Sequence, residues 1–295
     1  MHKVFMNVLF AVLTVLSCSS ASAMQVVACE QHWVQLAAVL GGDRVDARSL
    51  FGANQDPHHI SPTVRALVLT RAADLFICND IRDEPGLRAL IASSHNPRVQ
   101  AGRPGYIDAS AYLPTDTIST THGALALRHL HSDPHNILLV ATVLSNRLAQ
   151  LDPANAPEYR ARLDAFSATW KGAIRQWEAK AIPLRNISVI DQRRSCAYLC
   201  RWLGIREVAR LESERGSSVE PENMRIALDA LTYGPVKMIV QGPHHSSAAV
   251  TWLEREKKLP VAIVRMTAGD KPGMPGLYSM FDDAISRMLS AARHG

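Results

Sequence analysis

The chain carries none of the short motifs that announce hydrolytic or nucleotide chemistry. It has no H-E-x-x-H helix, no G-x-S-x-G elbow and no glycine-rich phosphate loop. Histidines near serines and acids can describe a metallohydrolase, but without those frames the sequence reads as a binder and not an enzyme. A basic run is missing too. Lys and Arg number 32 against 27 Asp and Glu, for a net charge of +5, and the cations are dispersed without interleaved aromatics. That excludes a nucleic-acid footprint. Past the N-terminal segment, no stretch is apolar enough to cross a bilayer. Cysteine is scarce, at 5 in 295 residues, and aromatics make up 6%. What remains is a globular composition, 47% hydrophobic and 20% charged, long enough for two domains with separate cores.

The N-terminus has the pattern of a targeting segment. Met1-His2-Lys3 is a positive start, Val4 to Leu16 is an apolar run, and Ala21-Ser22-Ala23 is an A-x-A cleavage signal. Residues 1–23 are therefore expected to be a secretory signal peptide cleaved before Met24. Lipidation at Cys18 is the weaker alternative, because Leu16 fits a lipobox poorly. Export would place Cys29, Cys78, Cys196 and Cys200 in an oxidising compartment. Cys29 and Cys78 each end a short apolar run; if those runs are neighbouring parallel strands, the sulfurs sit at equivalent strand ends and can bond. Cys196 and Cys200 lie one helical turn apart, about 5–6 Å between Cβ atoms. A disulfide needs roughly 3.5–4.5 Å, so these two read as buried thiols.

From Met24 onward short β-like runs alternate with helical spacings. Strands are expected at 24–29, 45–50 and 74–78, with helices at 32–40, 62–73 and 137–148. Residues 96–109, broken by Pro97, Gly102, Pro104 and Gly105, read as loop. The clearest helix runs from about Pro157 to Ile182. Its apolar residues are Tyr159, Leu163, Phe166, Trp170, Ile174 and Trp177, at steps of three and four. It would reach about 39 Å and join two lobes. After Pro183 the alternation resumes, with strands at 187–190, 208–211, 236–240 and 261–265 and helices at 196–203, 223–231, 248–256 and 277–292. The expected fold is α/β: two lobes, 24–154 and 184–295, each a parallel sheet with flanking helices, joined by one long helix at 155–183. No internal repeat marks the lobes as copies. In such open sheets ligands bind at the carboxyl ends of the strands.

Two stretches echo each other, Asp56-Pro57-His58 and Asp133-Pro134-His135. Proline fixes its own φ and extends the residue before it, so each histidine is expected on a stiff turn. Neutral imidazole is the commonest protein ligand for zinc-like ions, and two such prongs suggest a metal site. The bland reading is a frequent turn dipeptide and chance placement of twelve histidines.

The order of several pieces carries a resemblance. Cys29-Glu-Gln-His-Trp33, Gly41-Gly42-Asp43, Asp56-Pro57-His58, Ala73-Asp74-Leu75, Pro104-Gly105-Tyr106, Asp133-Pro134-His135, the long helix and Leu277 to Asp283 follow one another through the mature chain. Together they resemble the zinc/manganese-type solute-binding proteins of bacterial ABC importers. The resemblance implies two α/β lobes on a rigid helix, a metal held between them, a monomer in the periplasm, and delivery to an inner-membrane ABC permease. It also supports a Cys29–Cys78 bond. It places family ligands at His58 and His135. The third, a histidine, falls on Arg193; the fourth, an acid, falls near Ser246, in Gln241-Gly242-Pro243-His244-His245-Ser246.

Arginine has five donors and no acceptor, so Arg193 cannot coordinate a cation. Three outcomes follow. His244 or His245 completes a histidine-rich site with His58 and His135, for Zn2+ first and otherwise Mn2+, Cu2+ or Ni2+. Alternatively Arg193 pairs with a metal chelate or an anionic ligand. Or the site is degenerate, leaving a periplasmic metal buffer or a partner protein outside import. Glu212, Glu214 and Asp270 are candidate replacement carboxylates. His59 and His129 are assigned to the cleft or to a supporting position.

Overall fold

The computed structural model describes residues 22–51, 63–82, 84–114, 129–193, 196–212, 219–243, 247–269 and 276–294. The first lobe contains β1 (Met24–Ala28), α1 (Gln31–Gly41), β2 (Val45–Ser49), α2 (Val64–Ala72), β3 (Leu75–Cys78), α3 (Pro85–Ser93) and β4 (Tyr106–Asp108). Next come α4 (Pro134–Leu151) and α5 (Ala156–Lys180). The second lobe contains β5 (Ser188–Asp191), α6 (Ala197–Leu203), β6 (Arg206–Arg210), α7 (Pro221–Tyr233), β7 (Val236–Gln241), α8 (Ala248–Glu256), β8 (Val261–Ile263) and α9 (Ser279–Ala292).

Each lobe holds a four-stranded sheet, ordered β2-β1-β3-β4 and β6-β5-β7-β8, with every pairing parallel. The central strands show why. Leu75-Phe-Ile-Cys78 and Ser188-Val-Ile-Asp191 are buried along their whole length, as strands covered by helices on both faces must be. One apolar cluster fills the outer face of the first lobe around Val27, Phe76, Leu87 and Leu90. Another fills the outer face of the second around Ile190, Ile239 and Leu253. The largest cluster is continuous through both lobes.

Helix α5 holds that shared core together. It buries Tyr159, Phe166, Trp170, Ile174 and Trp177, the stripe its sequence spacing implied, and its 25 residues span about 38 Å. Trp170 is fully buried. Its ring centroid lies 5.1 Å from Phe166, 5.2 Å from Trp177 and 4.7 Å from Tyr278. Its indole N–H donates to Pro134 O at 2.8 Å, which ties α5 to the start of α4. Trp177 stacks on Phe281 of α9 at 4.8 Å, so the same helix grips both lobes.

Cys29 and Cys78 form a disulfide at the carboxyl ends of β1 and β3, with Cα atoms 5.0 Å apart. Cys196 and Cys200 are free and buried. Two expectations need correction. Residues 96–109 are not all loop, because Tyr106–Asp108 forms β4. Gly105 opens that strand not as a breaker but because a Cβ there would overlap the carbonyl oxygens of Asp74 and Arg98. Nor is Asp133-Pro134-His135 a free-standing turn. Asp133 caps α4, Pro134 takes its first turn and Asp133 Oδ1 accepts the His135 N–H at 2.9 Å, since proline's fixed φ suits a helix start as well as a turn.

Candidate functional site

In both sheets the strand order reverses between the first and third strands of the lobe, the point where open α/β sheets bind ligands. Glu30 follows β1 and Asn79 and Asp80 follow β3 at that point in the first lobe. Gln192 and Arg193 follow β5, and Gly242 and Pro243 follow β7, at the matching point in the second.

The first lobe builds a neutral polar cluster there. Trp33 Nε1–H donates to Asn79 Oδ1 at 3.0 Å, which fixes the amide so that Nδ2 faces the other way. That nitrogen donates to Glu30 Oε1 at 3.2 Å and lies 3.0 Å from His131 Nδ1. His131 Nε2 is 2.6 Å from Met266 O. A carbonyl can only accept, so Nε2 carries the proton and Nδ1 accepts from Asn79. Burial lowers the His131 pKa to about 4, against the raising effect of the Met266 bond. His32, fully buried, stacks on His131 at 3.9 Å. Burial first, then the neighbouring His131, holds its pKa well below the usual value. Asn79 lies near enough to favour the charged ring slightly, but neither nitrogen of His32 makes a hydrogen bond among the described residues. Glu30 is only partly covered as a residue, yet its Oε2 is shut off from solvent with no partner among the described residues. Desolvation raises its pKa to about 8, so this carboxyl is mainly protonated at neutral pH.

His135 sits on the first turn of α4, half-exposed. Its Nδ1 lies 3.0 Å from Asp133 Oδ1. A carboxylate accepts, so Nδ1 carries the proton and Nε2 presents its lone pair, the arrangement that prepares a histidine for a cation. The hydrogen bond from His135 to Asp133, outweighing partial burial, raises the imidazole pKa. Glu178 Oε1 is 3.9 Å from Nε2, and that oxygen accepts the Trp202 indole N–H at 3.1 Å. Asp133 also faces Arg201 of the second lobe at 3.9 Å.

Arg193 and Glu212, separate candidates in the sequence, are joined. Arg193 Nε donates to Glu212 Oε2 at 2.8 Å, and Gln192 Nε2 to Oε1 at 3.1 Å. Burial pushes the Glu212 pKa up, but hydrogen bonds from Arg193 and Gln192 outweigh it and the net shift is downward. Both oxygens of Glu212 are thus engaged, and Arg193 meets the cleft as half of an ion pair. His129 lies 6.2 Å from the His131 ring. His58, His59, His244, His245, Ser246, Glu214, Asp270 and the segment 1–21 fall outside the described residues. Among the described residues, no group of three or more His, Cys, Asp or Glu is placed to hold a metal ion, and no helix is long and apolar enough to cross a membrane.

Sequence reasoning missed His32, Asn79, Glu30, Asp133 and Glu178. A position just after a buried strand beside the reversal point was the available signal for Glu30 and Asn79. Glu178 had none, since it reads as one more polar residue on α5.

The model of the family described as zinc-uptake complex component A, periplasmic, matches residues 26–291. The chain belongs to that family. Its members are periplasmic metal-binding components of ABC transporters. Curated relatives are distant. The iron-binding protein YfeA of Yersinia pestis is 21% identical over 239 residues, covering 80% of this chain and 68% of that one. The manganese ABC transporter substrate-binding lipoprotein PsaA of Streptococcus pneumoniae is 21% identical over 253 residues, covering 82% and 79%. The match to the lipoprotein SsaB of Streptococcus sanguinis spans only 54% of each chain. Among solved structures, FpvC of Pseudomonas aeruginosa in complex with Mn2+ superposes with a TM-score of 0.76 at 19% identity, covering 92% and 98%. A crystal structure of ZnuA gives 0.73, also at 19% identity, covering 91% and 98%. These likenesses extend the family's two-lobed fold to this chain.

Proposed function

We propose that the chain is the periplasmic receptor of a metal ABC importer, taking a divalent transition metal, zinc first, and passing it to an inner-membrane permease. His58 and His135 are the ligands assigned to the first lobe, with His244 and His245 as donors from the second. The chain acts as a monomer, exported by the segment 1–23, with the long helix limiting how far the lobes 24–154 and 184–295 move. It performs no catalysis. The observation that carries this reading is the His135–Asp133 pair, which orients one imidazole with its Nε2 lone pair available. Pairing of Arg193 with Glu212 supports a free cation over an anionic chelate, because the guanidinium charge already has its counterion. Relatives named for iron and manganese, and neighbours bound to manganese and nickel, make zinc the first of several ions to try.

The test is calorimetric titration of the metal-stripped mature chain with Zn2+, then Mn2+ and Ni2+, beside His58→Ala and His135→Ala. One-to-one sub-micromolar binding that either variant abolishes is expected. Equal, weak heats from wild type and both variants would refute the assignment.

A further inference from the structure

The segment running from Met266 to Leu277 belongs to the second lobe by sequence, since it leaves β8 and leads into α9. Among the described residues, three of its hydrogen bonds go to the first. His131 Nε2 donates to Met266 O at 2.6 Å. The Gln35 side chain on α1 grips two points of the same segment, donating from Nε2 to Gly269 O at 2.9 Å and accepting the Leu277 N–H at 2.6 Å. A carboxamide used in this way imitates the two groups of a peptide, and here it links Gly269 to Leu277. Apolar packing agrees. Met266, Ala268 and Leu277 lie in one buried cluster with Trp33, Leu36 and Ala37 of the first lobe.

His131 does not reach across by chance. Asn79 holds its Nδ1 as acceptor, so Nε2 must donate, and the ring is pinned between His32 and the carbonyl. The chain Trp33–Asn79–His131–Met266 therefore runs from the carboxyl end of β3 to the other lobe with each donor and acceptor role fixed. Were the lobes free to swing apart on this side, three hydrogen bonds and a shared core would have to break together.

We propose that Gln35 and His131 are positioning residues. They fasten the described ends of the β8–α9 segment to the first lobe and so fix the cleft in which the cation is held. The proposal rests on the metal-receptor reading, and its test keeps the two apart. In the full mature chain, His131→Phe keeps a ring against His32 but loses the donor, and Gln35→Leu keeps bulk without the amide. His131→Gln restores an N–H. Amide hydrogen exchange is followed for residues 266–269 and 276–278, together with Zn2+ dissociation into a chelator well below the melting temperature.

Phe and Leu variants are expected to speed both exchange and zinc dissociation by about tenfold, the scale of one buried hydrogen bond, with Gln returning toward wild type. A merely structural role would lower the melting temperature and leave the dissociation rate alone. Unchanged exchange in both variants overturns the fastening. Faster exchange with unchanged zinc dissociation overturns its part in holding the cation. A wild-type chain that takes up no zinc, with faster exchange in the variants, removes the metal reading and leaves the fastening established.

Discussion

Replacing Glu30 by glutamine should stabilise the protein, increasingly so as pH rises above about 4.5. The folded chain holds a proton on Glu30 up to about pH 8 because the carboxyl is desolvated, whereas the unfolded chain releases it near 4.5. Above 4.5 the unfolded state therefore binds fewer protons, and stability falls as pH rises, by about 1.4 kcal/mol per unit until the folded carboxyl ionises. By pH 7 the accumulated loss is about 3 kcal/mol. His131 works in the opposite sense. Its folded pKa of about 4 lies below the ordinary 6.5, so between those values the unfolded state binds the extra proton and stability rises with pH. The two slopes oppose each other between 4.5 and 6.5; above 6.5 His131 no longer contributes and the Glu30 slope continues. Glutamine keeps an oxygen for Asn79 Nδ2 and carries no charge in either state. Urea melts of wild type and Glu30→Gln at pH 4.5, 6.5 and 8 provide the assay. A gain that grows with pH to about 4 kcal/mol at pH 8 is expected. Equal stabilities at pH 4.5 and at 8 would refute the claim that this carboxyl is held protonated.

Reducing the Cys29–Cys78 bond, or replacing both residues by alanine, should cost about 4 kcal/mol for a closed loop of 49 residues, read as a shift in urea midpoint between oxidised and reduced samples. Trp170→Phe keeps most of the ring cluster but leaves Pro134 O without its donor; a loss of about 1–3 kcal/mol is expected in the same melts. Arg193→Met strands Glu212, whose folded pKa the guanidinium helps to depress. The paired carboxylate contributes stability above its unfolded pKa that disappears as pH falls through the folded one, so this variant should be destabilised at neutral pH and much less so near pH 3. Loss of equal size at both values, by thermal melts, would count against the pairing.

The fold was legible because burial on both faces leaves a simple record: Leu75 to Cys78 is an unbroken apolar run, Ile187 to Ile190 is apolar but for Ser188, and α5 repeats large apolar residues every three or four positions. Strand β4 was not, since three residues behind a Pro-Gly pair carry too little pattern to outweigh the punctuation. Asp133-Pro134-His135 stood out in the sequence but its local structure was misread, because proline restricts φ identically in a turn and in a first helical turn. The polar cluster was hidden for a different reason. His32 and His131 lie 99 positions apart in sequence, and only the closeness of β1, β3 and the segment before α4 stacks them. Spacing rules see neighbours on one element, whereas this cluster is made by three.

The two lobes share a strand order and put opposite chemistry at its reversal point. In the first lobe a protonated Glu30, the Asn79 amide and two imidazoles that burial keeps uncharged stand beside the buried Asp80. In the second, Arg193 and Glu212 are both charged and cancel by contact. The histidine donors proposed above favour zinc, nickel or copper over manganese, which prefers oxygen donors.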